Sequence, residues 1–310
     1  MKIICLADSV QPAALIQADA PQPGPGRGEL LIRVCAAGFT STELSWYPTS
    51  HRKTGEARKG AVPAHEFSGV VVAVGEDVGA LEMGREVFGM NDWYSNGAMA
   101  DYCVAPFFAV APKPHRLTHA EAAAVPIAAL TAWQGLFDHA KLQPGERILV
   151  HGGAGAVGVF AVQLARLRGA HVIATSSARN RDFVLGLGAE KVIDYQESRF
   201  EECVTGLDVV FDTVGGETLE RSWNILRPGG RMVTVVSAAA GSPDARVEQA
   251  FFIVEPNQKQ LVEVADLLEA GQLRAVVDTV IPLSQAPEAY AGMVPRQGRG
   301  KLVVAVGNTN

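Results

Sequence analysis

The eight residues His151–Gly158, HGGAGAVG, constrain this chain more than any others. They hold Gly153, Gly155 and Gly158 in a G-x-G-x-x-G spacing, after the apolar run RILV and before VFAVQLARL. Strand, glycine turn and helix in that order have a specific chemical use. The glycines permit a tight turn, close approach of a pyrophosphate, and close packing of helix on strand. Ala156 and Val157 open the helix, whose free N–H groups are available to the phosphates. With 32 glycines in 310 residues a chance match is easy, so the weight rests on the strand–turn–helix context. A tight turn that binds nothing is the alternative.

The same region, from Ile148 to Ala165, contains no Asp, Glu, Lys or Arg. That is close to the ~18 residues of a membrane helix. Four glycines bunched between 152 and 158 break such a helix and suit a βα turn instead.

Downstream, strands are predicted at RILVH from Arg147, HVIAT from His171, KVIDY from Lys191, LDVVFDTV from Leu207 and GRMVTVV from Gly230. FFIV at Phe251 is a sixth candidate. Helical stretches lie between most of them, including VGVFAVQLARL and RDFVLGLG, and TAWQGLFDHA precedes the first. Apolar strands alternating with helices specify a parallel sheet covered on both faces, a Rossmann arrangement.

The end of the second strand selects the nucleotide. An NAD site usually carries Asp or Glu about 20 residues after the glycines, on the ribose diol. Here the segment reads ATSSARNR, which puts Ser176, Ser177 and Arg179 at that place. Hydroxyls and a guanidinium fit a 2′-phosphate that a carboxylate would repel, so NADP(H) is expected. Asp182 suits the start of the next helix. The alternative for these residues is an ordinary solvated loop.

Both ends of the chain differ from this middle. Runs such as ELLIRVCAAG and FSGVVVAVG, broken by Gly and Pro, predict short, mostly antiparallel strands. LVEVADLLEAGQL predicts an amphipathic helix and KLVVAV a closing strand. The fold class is therefore α/β, with a β-rich domain over 1–116 and 254–310 and a nucleotide-binding domain over 117–253.

Hydrophobic residues at 48% and charged residues at 19% exclude a disordered chain. A net charge of −6 without a basic stripe argues against nucleic acid and anionic membranes as partners. Cys5, Cys35, Cys103 and Cys203 form no C-x-x-C pair, and the start MKIICLADSV has too short an apolar run for a secretory signal. Reduced thiols in a cytoplasmic protein are expected.

Nearly the whole chain resembles the medium-chain dehydrogenase/reductase superfamily, and within it the zinc-free quinone oxidoreductases of the zeta-crystallin group. The resemblance is carried by VPAHEFSGVVVAVG from Val62, PIAALTAWQGL from Pro126, HGGAGAVG, FDTVGG from Phe211, LRPGGRMV from Leu226 and GRGKLVVAV from Gly298, in that order. It implies that the β-rich part is a GroES-like catalytic domain, with the active cleft between the domains. It also implies that Thr131 sits beside the nicotinamide, Val214 near its ribose, and Phe251, Phe252 and Ile253 along the cofactor. Arg299 and Lys301 are then expected at the phosphates. Ordinary core is the alternative for the phenylalanines.

Zinc enzymes of that superfamily use two Cys and one His and leave a fourth position open. By the resemblance those positions are Thr40, His65 and Ile127 here, and the four-cysteine lobe of a structural zinc is missing, since no cysteine lies between Cys35 and Cys103. No metal is expected. His65 is then either a hydrogen-bonded histidine inherited in the cleft or a proton donor.

The resemblance implies hydride transfer to a quinone or an α,β-unsaturated carbonyl. Tyr47 is the first candidate proton donor, because a phenol can support a developing oxyanion. Family members often carry a tyrosine five residues after the Thr40 position, which is Ser45 here. A cleft wall or turn residue is the alternative for Tyr47. Trp46, Asn91 and Trp93 are expected to complete an aromatic, sparsely polar substrate pocket. Two other readings stand beside this one: a trans-acting enoyl reductase of lipid or polyketide synthesis, and a non-catalytic NADPH-binding protein. A homodimer joined through GRMVTVV and FFIV at the sheet edge is expected.

Overall fold

The computed structural model describes residues 1–7, 14–79 and 82–307. It divides into two compact units. One comprises Met1–Ile127, Pro256–Gln297 and the chain from Lys301; the other comprises Ala128–Glu255 with Gly298–Gly300.

In the first unit β1 (Lys2–Leu6) pairs antiparallel with β2 (Leu15–Asp19). The ten-residue β3 (Glu29–Gly38) pairs with β4 (Glu66–Val74), which continues to β5 (Glu86–Met90). β6 (Tyr102–Pro106) pairs with β3, and β7 (Val110–Pro112) with β5. The inward residues Ile4, Leu30, Ile32, Phe67 and Met99 are buried in one cluster. Each such side chain contributes roughly 1.5–3 kcal/mol through removal from water.

Residues 117–127 belong to this unit, so the boundary expected at 116/117 falls at Ile127/Ala128. The reason is the helix His119–Ala123, which carries Ala123 into a cluster with Ala36 and Val303. Thr118 and Glu121 cap it reciprocally, Thr118 N–H donating to Glu121 Oε2 and Glu121 N–H to Thr118 Oγ1.

The second unit is built on five parallel strands: β8 (Arg147–Val150), β9 (His171–Ser176), β10 (Lys191–Asp194), β11 (Leu207–Asp212) and β12 (Leu226–Thr234). Their order is β10-β9-β8-β11-β12. All five predicted strands are present. FFIV is not a sixth: Phe251 makes one isolated bridge to Thr234, and no strand forms there. The helix Ala245–Ala250 ends immediately before it, and the chain keeps no ladder with β12 beyond that single bridge. β12 is therefore the edge by itself. TAWQGLFDHA also departs from a regular helix. Pro126–Trp133 is α-helical, and Gln134–His139 continues as a wider π-helical turn. Gly135 lies there against the Phe211 ring, where a Cβ would come within 2.3 Å of the ring edge.

The chain then returns to the first unit. β13 (Val277–Pro282) pairs parallel with β14 (Lys301–Ala305), and β14 pairs antiparallel with β3. This completes a seven-stranded sheet from the two ends of the sequence. No helix among the described residues is long and apolar enough to cross a membrane.

Candidate active site

In the second unit the glycine turn sits between β8 and the helix Ala156–Leu167. Gly152 adopts φ +71°, and a Cβ there would meet the Thr213 hydroxyl at 2.5 Å. At Gly153 a Cβ would come within 2.9 Å of Ala174, and at Gly158 within 2.1 Å of the Gly152 carbonyl. Gly158 thus lets helix and turn touch, as the spacing predicted. Gly155 caps the helix and is exposed, with Ala156 and Val157 half-buried after it.

Under this turn His151 is 1% exposed, with Nδ1 3.2 Å from Thr175 Oγ1 and Nε2 2.9 Å from Ser222 Oγ. Burial lowers its pKa to about 4, so the ring is neutral. Asp212, which ends β11, accepts the N–H groups of Val214 and Gly215 and the Thr234 hydroxyl. It shapes the loop that carries Val214, which is 51% exposed.

β9 ends at Ser176, which is buried and donates its hydroxyl to the Ser177 carbonyl. Ser177 is half-buried and Arg179 exposed. The segment Gly298–Gly300 lies beside them. Gly300 N–H donates to the Ala154 carbonyl at 2.8 Å, and Arg299 donates to Asn180 Oδ1 and to the Arg179 carbonyl. Its guanidinium lies over Phe183 at 5.2 Å. Ser177, Arg179 and Arg299 thus share a rim with the glycine turn, whereas the hydroxyl of Ser176, expected among the phosphate contacts, is buried and turned to the backbone. Asp182 lies in the first turn of the helix Arg181–Leu187, as expected.

An open cavity of about 620 Å³ lies at the carboxyl ends of these parallel strands, lined by Gly152, Thr175, Tyr195, Val214 and Arg221 among others. That is the end at which open α/β sheets bind ligands. Thr131 is 6% exposed on its helix, Phe252 is buried against His139, and Ile253 is 64% exposed. Phe251 is half-buried against the core of the unit.

Lys301 requires a correction. Its ammonium pairs with the Glu66 carboxylate in the first unit, with 4% and 0% of the side chains exposed. A charge neutralised in that way is not available to the cofactor phosphates, and only Arg299 of the pair lies beside the glycine turn.

In the first unit Trp46 and Trp93 meet edge to face at 5.4 Å, and the His65 ring lies 5.5 Å from Trp93. Asn91 donates its backbone N–H to the His65 carbonyl, but its side chain is fully buried and donates to the Val104 carbonyl. Asn91 therefore orders the backbone behind His65, where a pocket-lining role was expected. Tyr47 is 54% exposed and stacks on His51 at 4.2 Å, so its described ring partner is His51 and not the His65 group. Thr40 is half-buried just beyond β3.

Sequence reading missed Glu43 and Tyr290. Glu43 is 1% exposed, accepts hydrogen bonds from Ala64 N–H and the Tyr290 hydroxyl, and has Oε2 3.3 Å from His65 Nδ1. An acidic residue three positions after Thr40 was a usable signal; Tyr290 had none. Among the described residues no group of three or more His, Cys, Asp and Glu could hold a metal ion. At the three zinc positions only His65 is a ligand type, so the donor set does not fit zinc.

Residues 26–115 match the family model for the alcohol dehydrogenase GroES-like domain, and residues 187–304 match that for zinc-binding dehydrogenases. A probable zinc-binding mitochondrial oxidoreductase of Arthroderma benhamiae is 33% identical over 92% of this chain and 91% of its own. The chain belongs to the medium-chain dehydrogenase/reductase superfamily, in its quinone oxidoreductase branch. The 2-methylene-furan-3-one reductase of Solanum lycopersicum is 32% identical, over 93% of this chain and 74% of its own. The quinone oxidoreductase of Coxiella burnetii superposes with a TM-score of 0.86 at 30% identity, covering 99% of both chains. Its relatives are oxidoreductases, and the protein is an enzyme of this superfamily.

Proposed function

We propose that this protein is a zinc-independent reductase that uses NADPH to transfer a hydride to a quinone or an α,β-unsaturated carbonyl. The observation that carries the cofactor choice is the rim of Ser177 and Arg179 beside the glycine turn, with Arg299 against it and no carboxylate at the usual ribose position. A dianionic 2′-phosphate is favoured there by the arginine charges and by the Ser177 hydroxyl. Bound NADPH would supply the hydride. The glycine turn and the N-terminus of the helix Ala156–Leu167 would hold its pyrophosphate. Without a metal to polarise an alcohol, reduction of an activated acceptor is the easier direction. The names of the tomato and Coxiella relatives support enone and quinone acceptors respectively.

The test is NADPH oxidation by the full chain against a benzoquinone, 2-cyclohexenone and a crotonyl thioester, before and after prolonged chelation. Turnover of the first two, unchanged by chelation, is expected. Turnover of the thioester alone would assign the protein to enoyl reduction. Tight NADPH binding without oxidation by any acceptor would make it a binding protein. Loss of activity on chelation, restored by zinc, would overturn the metal-free reading.

A further inference from the structure

Asn180 stands where an asparagine ordinarily caps a helix, immediately before Arg181–Leu187, yet its side chain makes no cap hydrogen bond. The residue is 4% exposed and its amide is engaged elsewhere. Oδ1 accepts Arg299 Nε at 2.8 Å, and Nδ2 donates to the Gly298 carbonyl at 3.2 Å. A local bond has thus been given up for contacts with residues 118 and 119 positions later. Both hydrogen-bonding ends of one buried amide are committed to a single distant segment, which a solvated loop does not require. That segment, Gly298–Gly300, belongs to the same compact unit as Asn180.

The segment in turn sets Arg179 at both its backbone and its side chain. Arg299 Nη2 donates to the Arg179 carbonyl at 2.9 Å, while the Arg299 guanidinium lies over Phe183 at 5.2 Å. Gly298 holds φ +75°, and a Cβ there would lie 3.0 Å from Arg179 Nη2. The Arg179 guanidinium therefore rests on a bare glycine, in a backbone conformation that glycine adopts without strain. Gly300 anchors the far end, its N–H donating to the Ala154 carbonyl of the glycine turn at 2.8 Å. Arg179 is exposed, and among the described residues no carboxylate pairs with it. A guanidinium fixed at its base, beside the glycine turn and without an internal counter-ion, is prepared for an anionic ligand.

We propose that Asn180 is a positioning residue that determines nucleotide specificity. By fastening Gly298 and Arg299 to the turn Ala178–Asn180, it holds the Arg179 guanidinium where the phosphate of a 2′-phosphorylated adenosine binds. This deepens the NADPH reading above and rests on it. Arg299 acts in the same clasp, since two of its donors are committed to Asn180 and to the Arg179 carbonyl. Asn180 itself touches no phosphate in this assignment. Its effect passes through the placement of Arg179, and paired guanidinium–phosphate hydrogen bonds tolerate little displacement. Selectivity of the nucleotide-binding unit is thereby written partly into a segment near the end of the chain.

The test titrates the full chain with adenosine 2′,5′-bisphosphate and with adenosine 5′-monophosphate and reads the ratio of the two dissociation constants. The unmutated protein should favour the bisphosphate by about tenfold or more. Asn180→Ser keeps a residue type that caps helices but is too short to reach both Gly298 and Arg299. It should weaken bisphosphate binding about tenfold and change the monophosphate constant by less than about twofold. Arg299→Lys keeps the charge, loses the planar fork, and should lower the same ratio. In an Arg179→Ala background Asn180→Ser should not change the ratio further, because the phosphate donor through which it acts is gone. An unchanged ratio in Asn180→Ser, or in Arg299→Lys where the first variant does not fold, would overturn the proposal. Equal losses for both ligands, which mark a purely structural residue, or full additivity with Arg179→Ala would do the same. Equal affinity of the unmutated protein for the two ligands sinks the NADPH reading instead, and the role of Asn180 in specificity with it.

Discussion

The ammonium of Lys301 lies against the carboxylate of Glu66, and both side chains are withdrawn from solvent. The pair joins β14 to β4, and the second Glu66 oxygen accepts the Ile127 N–H at 2.9 Å. Burial raises the Glu66 pKa, with Lys301 opposing the shift. Removing Lys301 leaves a buried carboxylate without its counter-ion, so Lys301→Met should destabilise by about 3–5 kcal/mol near neutral pH. With a folded-state pKa above the unfolded one, Glu66 contributes stability that is complete below the ordinary carboxylate range and is lost as pH rises through the raised value. The variant raises that value further. Urea unfolding at pH 5 and pH 8 should therefore show the larger penalty at pH 8, and equal penalties would contradict a buried, coupled pair.

Arg179 is exposed beside the glycine turn, with its carbonyl held by Arg299. Arg179→Ala should raise the KM for NADPH far more than that for NADH. A lost charge-assisted bond is worth roughly 1.5–3 kcal/mol, or about a tenfold to hundredfold change. Steady-state kinetics with both nucleotides checks this, and equal use of both by the unmutated protein would refute it.

Two glycines of one motif should respond differently. A Cβ at Gly158 would come within 2.1 Å of a carbonyl oxygen, whereas at Gly155 the nearest atom is 3.3 Å away. Gly158→Ala should cost about 1–3 kcal/mol of stability through overpacking. Gly155→Ala should spare the melting temperature and weaken NADPH binding, because only the approach of the pyrophosphate is obstructed. Thermal unfolding and nucleotide titration of both variants separate the two effects.

His151 predicts an acid sensitivity. Its folded pKa of about 4 lies below the ordinary histidine value, chiefly through burial. Its contribution is present above about pH 6.5 and is lost as pH falls through about 4, where folding must displace a proton; the total is a few kcal/mol. His151→Gln should flatten the stability profile between those limits. An unchanged slope would mean that other groups govern acid unfolding.

Assembly is the remaining expectation. The edge strand β12 has Phe251 bridged only to Thr234, so the ladder positions from Leu226 to Arg231 have no outer partner strand among the described residues. Pairing of two such edges across a two-fold axis would cover them. Light scattering should give twice the 32.8 kDa of one chain. A single-chain mass would mean that no such pairing occurs.

The sequence by itself determined what depends on near neighbours. The glycine spacing, the five apolar strands of the second unit and the serine–arginine segment after β9 are local patterns, and local sterics and burial write them directly into residue order. FFIV shows where that ends: an apolar run has the composition of a strand, but whether it extends a ladder depends on a neighbouring strand lying alongside it over several residues, and Phe251 meets Thr234 at one bridge alone. Only the tertiary structure could bring Tyr290 to Glu43 across 247 residues, or Lys301 to Glu66 across 235. Periodicity reports which side chains leave water, whereas a buried charge acquires its partner from the strand pairing that returns the end of the chain to its beginning.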